Sequence, residues 1–134
     1  MCTIMCYCSE KADYQQFVEG LSQTDTRGPD AAKILHIGFQ RLSIMGLTAE
    51  GMQPFSLHGN YLICNGEIYG FRPLREKLIQ KGYSFSSDSD CEILLPLYEE
   101  FGLKMFSLLD AEFALVLYDA AEDSFIGGRG PSGM

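Results

Sequence analysis

Residues 113–118 read Phe-Ala-Leu-Val-Leu-Tyr, a short run that is nearly all apolar. A run of this length and composition predicts a strand that is buried on both faces. Residues 119–123 then turn the chain back into a short return strand over residues 124–126. Because no internal repeat or low-complexity linker is present, the economical interpretation is a two-layer domain of mixed α and β structure.

Extended patterns predict further strands in the first half of the chain. Residues 2–8 alternate between two faces, which is typical of a strand that begins at the N-terminus. Residues 34–44 are also extended, and residues 61–64 predict another strand. Between the first two of these segments, residues 24–31 carry Gly28 and Pro29 among polar residues and predict a loop.

Three segments have apolar residues at helical spacing. Residues 14–21 and residues 73–81 predict helices, the second with Pro73 early, where its missing N–H is harmless. The sequence Ser89-Asp90-Cys91-Glu92 resembles a capping box before a third helix, which we expect to be interrupted or tightened near Pro96. Residues 127–134 have the composition of a turn with no element after it, so we expect a fold that is incomplete at its C-terminus.

Composition restricts the classes of partner and location. The chain has 134 residues, the length of one domain, and a net charge of −8, which argues against partners held through nucleic-acid phosphates or anionic membranes. No run is long and apolar enough to span a bilayer, and the first residues lack a secretory leader, so we expect a cytoplasmic protein. Five cysteines are too few for a disulfide scaffold.

Cys2 is the residue that points most directly to chemistry. Removal of Met1 before this small residue would leave one cysteine with both a thiol and a free α-amino group. The α-amine has an ordinary pKa of about 7.7–8.0 and can act as the base for the neighbouring thiol. The alternative is a buried cysteine at the second position with no role in catalysis, and Cys2 alone does not decide between the two.

Three other features each have a structural alternative. Asn65-Gly66 is a common hairpin-turn dipeptide, and Asp90 could be only a helix cap. Cys2, Cys6 and Cys8, together with His36 or Cys64, offer soft metal ligands. Their spacing does not match the paired cysteines of zinc sites, so we predict no metal. His36 is most simply a strand residue and His58 a turn residue.

Several motifs together indicate a family. Arg27-Gly28-Pro29-Asp30, Arg41-Leu42-Ser43-Ile44, Asn65-Gly66-Glu67-Ile68-Tyr69 and Ser89-Asp90-Cys91-Glu92 occur in this order. In order and spacing they resemble the N-terminal glutaminase domain of glutamine-hydrolysing asparagine synthase. That domain is a class II (type-2) glutamine amidotransferase and an N-terminal nucleophile (Ntn) hydrolase. The resemblance covers residues 1–134, so one partial amidotransferase domain is expected, with the synthetase domain absent.

The resemblance implies an α+β fold, the four-layer αββα sandwich of the Ntn hydrolases, and a set of site roles. Cys2 would attack the glutamine side-chain amide, and the Asn65 side chain with the Gly66 N–H would form the oxyanion hole. A glycine there would let the substrate approach a backbone donor closely. Arg41 would hold the substrate α-carboxylate, and Glu67 and Asp90 its α-ammonium. The segment that would line the same pocket consists of Leu42, Ser43, Ile44 and Met45.

The resemblance also implies a biological context. Ammonia from L-glutamine would supply asparagine synthesis in a synthetase domain or subunit, where ATP and Mg²⁺ would act, so this chain itself would need no cofactor. The chain departs from the family's usual residues at Cys6, Thr26, Ala111 and Gly130. The alternative is a catalytically silent fragment or glutamine-binding module that acts by association with another chain or with itself.

Overall fold

Two antiparallel sheets form the framework of the structure, a computed structural model that describes residues 2–6, 13–24, 26, 31–34, 37–41 and 49–131. The smaller sheet has the order β1-β3-β2 and the larger has the order β4-β5-β6-β7. The strands are β1 (Thr3–Cys6), β2 (Ala31–Ile34), β3 (Ile37–Arg41), β4 (Phe55–Leu57), β5 (Asn60–Tyr69), β6 (Asp110–Asp119) and β7 (Ser124–Arg129).

The helices are α1 (Tyr14–Ser22), α2 (Phe71–Gln80) and α3 (Leu94–Phe101). Short 3₁₀ segments lie at Ala49–Gly51, Asp90–Ile93 and Gly102–Leu108. The predicted helices at residues 14–21 and 73–81 are therefore confirmed. No helix in the described ranges is long and apolar enough to cross a membrane.

One face of the larger sheet packs against α2 and α3. The buried strand residues on this face are Leu62, Cys64 and Ile68 from β5, and Phe113, Leu115 and Leu117 from β6. The helical layer contributes Phe71, Leu78, Ile93, Leu94, Leu97 and Met105. Every second strand residue meets this layer because side chains alternate between the faces of a strand.

The other face of the larger sheet packs against β1. Ile63, which is fully buried, contacts Ile4 and Cys6. Met5 points the opposite way, because a Cβ atom on Gly20 of α1 would lie 3.5 Å from the Met5 Cε atom. The layers are therefore α1, the smaller sheet, the larger sheet, and α2 with α3. The expected αββα sandwich is confirmed, and the two-layer interpretation is wrong because the larger sheet is covered on both faces.

The prediction that residues 113–118 are buried on both faces is wrong for one face. Phe113, Leu115 and Leu117 are buried, whereas Ala114, Val116 and Tyr118 are only partly buried. The helices cover one face of β6 continuously. On the other face, Val116 packs beside β1, and Tyr118 forms part of an exposed aromatic pair with Phe125.

The interpretation of Asn65-Gly66 as a hairpin turn is wrong. Both residues lie inside β5, where Asn65 pairs with Ala114 and Gly66 with Phe113. The turn before β5 is at His58 and Gly59, whose φ angles are 49° and 92°. His58 is thus the turn residue that the sequence predicted, while His36 lies outside the described residues.

The turn predicted near the end of the chain from its glycines is wrong at residues 127–129, which belong to β7. A Cβ atom on Gly128 would lie 3.0 Å from Cζ of Phe106, whose ring stacks on Phe113. The ring therefore occupies the space of a strand side chain. Within the segment of residues 34–44 that was predicted to be extended, Ile34 ends β2 and Ile37–Arg41 forms β3, while residues 35–36 and 42–44 lie outside the described residues. Strand β2 begins at Ala31, the last residue of the predicted loop.

The capping-box prediction is also corrected. Ser89 precedes the 3₁₀ segment but makes no side-chain capping bond. Instead, the Glu92 carboxylate accepts bonds from the backbone N–H groups of Ser86 and Ser87. The tightening lies in the 3₁₀ turn before α3, and Pro96 sits in the first turn of α3, where no intrahelical N–H is needed.

Candidate active site

The orientation of the Gly66 peptide groups follows from the pairing of β5, β6 and β7. The Gly130 N–H donates to the Phe113 carbonyl at 2.8 Å, so this carbonyl points towards β7. In an antiparallel ladder, hydrogen-bonded and non-hydrogen-bonded pairs alternate. Gly66 and Phe113 are therefore a non-hydrogen-bonded pair, and the Gly66 N–H and C=O point away from β6, towards the other edge of β5.

Side chains rather than a strand cover that edge beyond Leu62, since β4 pairs only with residues Asn60, Tyr61 and Leu62. Gln53 bonds the Cys64 backbone twice, and the Asp90 Oδ2 atom accepts from the Ile68 N–H at 2.6 Å. The Cys91 Sγ atom lies 3.9 Å from the Gly66 carbonyl oxygen. Within the residues that the structure describes, the Gly66 N–H has no protein acceptor, although the amides of Cys64 and Ile68 are both bonded.

Gly66 is required by the approach of β6. A Cβ atom at this position would lie 2.5 Å from the Glu112 carbonyl oxygen and 2.7 Å from the Phe113 Cβ atom. Strand partners in a non-hydrogen-bonded pair come closest together, at about 4.5 Å between Cα atoms. A glycine at this position therefore meets two needs: the predicted close approach of a substrate to its N–H, and the observed close approach of β6 to its Cα atom.

Cys2 lies at the same end of the sheets. It immediately precedes β1, is half-buried and packs in the cluster around Ile63. Asn65 is on the same face of β5 as Ile63, because the two residues are two positions apart. The register of β1 and β3 pairs Thr3 with Gln40, so the next position places the Arg41 backbone beside Cys2.

The buried thiol of Cys91 belongs to the same neighbourhood. A hydrogen bond with the Cys64 side chain and its own burial raise the pKa of the Cys91 thiol well above its usual value, and the nearby Asp90 and Cys2 raise it further. A thiol with a raised pKa stays protonated and is a poor nucleophile. Cys91 is therefore suited to donate to the Gly66 carbonyl rather than to react.

Asp90 does more than cap a helix. It is the first residue of the 3₁₀ segment, only 5% exposed, and its hydrogen bond goes to β5 rather than to the helix end. The alternative interpretation as a simple cap is therefore wrong. Among the described residues, its Oδ1 atom has no hydrogen-bond partner, so one oxygen of a buried carboxylate remains available at the open edge of β5.

Glu67 occupies an acidic surface strip. It pairs directly with Glu112 of β6, and the charges of Glu112, Glu67 and Asp110, together with partial burial, raise the pKa of Tyr69. Like charges directly opposite each other destabilise a sheet. A cation bound beside Glu67 would relieve this repulsion.

The structure brings Cys2, Asn65, Gly66 and Asp90 to one end of the two sheets, with the Arg41 backbone. Glu67 lies opposite Glu112 on the acidic strip. Residues Leu42, Ser43, Ile44 and Met45 lie outside the described residues. The sequence analysis did not predict that Gln53 and Cys91 bond the backbone of β5. These contacts depend on the strand register, which the sequence alone does not show. No group of three metal-ligating residues occurs in the described part of the chain; Cys8 and His36 lie outside it.

The comparisons with known proteins are consistent with this geometry. The profile of a family described as "Glutamine amidotransferase domain" matches residues 1–134. A probable glutamine-hydrolysing asparagine synthetase of Acanthamoeba polyphaga mimivirus is 38% identical and matches 100% of this chain. The corresponding synthetase 1 of Bacillus subtilis is 35% identical over 94% of the chain, and the amidase chyE of Penicillium rubens is 39% identical over 81%.

This chain spans only part of those relatives. The matches cover 26%, 21% and 17% of the mimivirus, Bacillus and Penicillium proteins.

The close approach at Gly66 gives a prediction about stability. Gly66→Ala should lower the free energy of unfolding by about 1–3 kcal/mol or more, because the new methyl group overlaps backbone that cannot move without disturbing β6. Gly127→Ala is the matched control, since a Cβ atom on that strand glycine would meet nothing within 4 Å. Equal stability of the two variants in urea denaturation would contradict the described packing.

Proposed function

Because the chain belongs to the glutamine amidotransferase domain family, we propose that it hydrolyses the side-chain amide of glutamine with Cys2 as the nucleophile. The observation that carries the proposal is the Gly66 N–H, which points to the open edge of β5 between two bonded amides. Cys2 lies at the same end of the sheets, half-buried against Ile63. A donor held in advance of the reaction stabilises a developing negative charge most effectively.

The proposed reaction begins after removal of Met1, when the α-amino group of Cys2 takes the proton of its own thiol. The thiolate attacks the amide carbon of glutamine, and negative charge moves onto the amide oxygen. The Gly66 N–H and the Asn65 side chain donate to that oxygen. The α-ammonium of Cys2 then gives this proton to the leaving nitrogen, and the intermediate collapses to release ammonia. Water cleaves the remaining thioester to glutamate and the free Cys2 thiol.

The substrate's charged groups would meet groups of opposite charge. The available Asp90 oxygen would accept a hydrogen bond from the glutamine α-ammonium, and Glu67 would contribute a second negative charge. Arg41, at the end of β3 beside Cys2 in the strand register, would bind the α-carboxylate through its planar guanidinium. Leu42, Ser43, Ile44 and Met45 directly follow Arg41 and would line the pocket.

The ammonia would supply asparagine synthesis, the activity for which two of the relatives are named. ATP and Mg²⁺ would act in a synthetase domain or subunit that receives the ammonia, so the amidotransferase reaction itself would need no cofactor. We expect the reaction to take place in the cytoplasm.

The second candidate function is a catalytically silent or glutamine-binding module. The observation that favours it is the open edge of β7.

Strand β7 lies at the edge of the larger sheet, and the groove beside it is lined by Phe106, Leu109, Phe113 and Gly127–Pro131. Among the described residues no strand covers this edge. An exposed strand edge next to apolar side chains favours association with another chain or with a second copy of this one.

Cys2→Ala tests the proposed function directly. The variant should release no ammonia from glutamine, whereas Cys6→Ala, which alters a second half-buried thiol of the same strand region, should keep most of the activity. Mass spectrometry should find Cys2 as the first residue of the active protein. Activity in a preparation that retains Met1, or in Cys2→Ala, would contradict the proposal, and a folded but inactive wild type would favour the second candidate function.

Asp90→Asn separates the charge of Asp90 from its structural bond. The asparagine side-chain oxygen can still accept from the Ile68 N–H, so the fold should be retained while KM for glutamine rises about tenfold or more, the value of a lost charged hydrogen bond. Asp119→Asn is the control, because Asp119 is also buried but accepts a hydrogen bond from Tyr98 at the far end of β6. An unchanged KM in Asp90→Asn would remove Asp90 from the substrate site.

A further inference from the structure

Next to the proposed oxyanion hole, the side chain of Gln53 makes the backbone hydrogen bonds that a neighbouring strand would otherwise make. The register of β4 and β5 pairs Phe55 with Leu62, so continuing it by two positions places Gln53 opposite Cys64. The side-chain oxygen of Gln53 accepts from the Cys64 N–H at 2.5 Å, and its Nε2 atom donates to the Cys64 carbonyl at 2.9 Å. One side-chain amide thus supplies both bonds that a paired strand residue would supply.

These two hydrogen bonds are buried, where water is largely excluded. Gln53 is only 5% exposed and Cys64 only 1%, so water does not readily replace either partner. The cost of leaving a buried backbone donor and acceptor unpaired explains why a glutamine, with one donor group and one acceptor, fits here.

The position of this pair matters because of what comes next in the chain. The carbonyl that Gln53 binds belongs to the Cys64–Asn65 peptide, and the following peptide carries the Gly66 N–H. On the other side of Gly66, Cys91 contacts the Gly66 carbonyl and Asp90 binds the Ile68 N–H. The Gly66 N–H therefore lies between two fixed points on the same edge of β5.

We propose that Gln53 is a positioning residue for glutamine hydrolysis: by binding both backbone groups of Cys64, it holds the Asn65-Gly66 peptide so that the Gly66 N–H faces the substrate. The inference rests on the proposed function, since the oxyanion belongs to that reaction. Gln53 itself touches neither the substrate nor Cys2 in this account. Its effect passes through the backbone of β5.

The primary test is Gln53→Glu, which keeps an acceptor of the same shape but replaces the donor with an oxygen facing the Cys64 carbonyl. Gln53→Met, which removes both bonds at similar volume, is the second variant in case the first fails to fold. Gln80→Glu makes the same chemical change at an exposed position at the end of α2. Tyr98→Phe removes a different side-chain bond, to Asp119, far from Gly66.

The expected result is a lower kcat with little change in KM. Loss of a whole oxyanion donor lowers kcat by about 10²–10³-fold, so a misplaced donor in Gln53→Glu or Gln53→Met should lower kcat about tenfold or more. KM for glutamine should change less than about twofold, because the lost interaction acts in the transition state. Both control variants should keep kcat within about twofold of wild type. A Gln53 variant whose kcat matches that of Tyr98→Phe would overturn the proposal.

A second readout does not depend on activity. The ¹H–¹⁵N resonance of Gly66 should shift in Gln53→Glu or Gln53→Met and stay in place in Tyr98→Phe and Gln80→Glu. An unshifted Gly66 resonance in a folded Gln53 variant would show that the side chain does not hold this peptide. A wild type that releases no ammonia would contradict the proposed function, while the Gly66 resonance would still decide whether Gln53 positions the amide.

Discussion

The antiparallel pairing of β5 with β6 at Gly66 and Phe113 determines the arrangement of the site. This pair is of the non-hydrogen-bonded kind, because the Phe113 carbonyl is already bonded to the Gly130 N–H of the next segment. The two backbones come so close at this pair that a side chain on residue 66 would overlap β6. As a direct consequence, both polar groups of Gly66 face the opposite edge of β5.

Some polar groups on that edge of β5 are bonded to protein groups, and others are free to bind a ligand. Gln53 satisfies Cys64, Asp90 satisfies the Ile68 N–H, and the Cys91 thiol contacts the Gly66 carbonyl. Among the described groups on this edge of β5, the N–H of the partly buried Gly66 and one oxygen of Asp90 have no protein partner, so both are available to a ligand. A donor and a carboxylate on one strand edge, near Cys2, suit a substrate with a carbonyl oxygen and a positive charge. Glutamine has both.

Sequence reasoning succeeded where the signal was periodic. The helices at residues 14–21 and 73–81 have apolar faces at helical spacing, and the packing of α1 and α2 preserved them. It failed where a distant residue decided the outcome. Asn65-Gly66 has the composition of a turn, but its pairing with β6, about fifty residues later, keeps it in a strand. Gly128 is in a strand because the Phe106 ring occupies the space beside it.

The site itself was predictable only in part. Cys2, Asn65, Gly66 and Asp90 come from motifs that resemble a known family, and the structure describes where each of them lies. Gln53 belongs to none of those motifs. Its role could not be predicted from the sequence, because it depends on which residue of β5 lies opposite Gln53. The binding roles of Arg41 and of Leu42, Ser43, Ile44 and Met45 remain predictions from the resemblance. Only the Arg41 backbone is part of the described structure.

The most direct measurement is a crystal structure of the Cys2→Ala protein with glutamine bound, since this variant lacks the thiol and cannot turn the substrate over. The account predicts that the side-chain amide oxygen of glutamine lies within about 3.2 Å of the Gly66 nitrogen. The α-ammonium should lie beside Asp90. Glutamine bound with its amide oxygen away from Gly66, or a Gly66 N–H bonded to another protein group, would contradict the account.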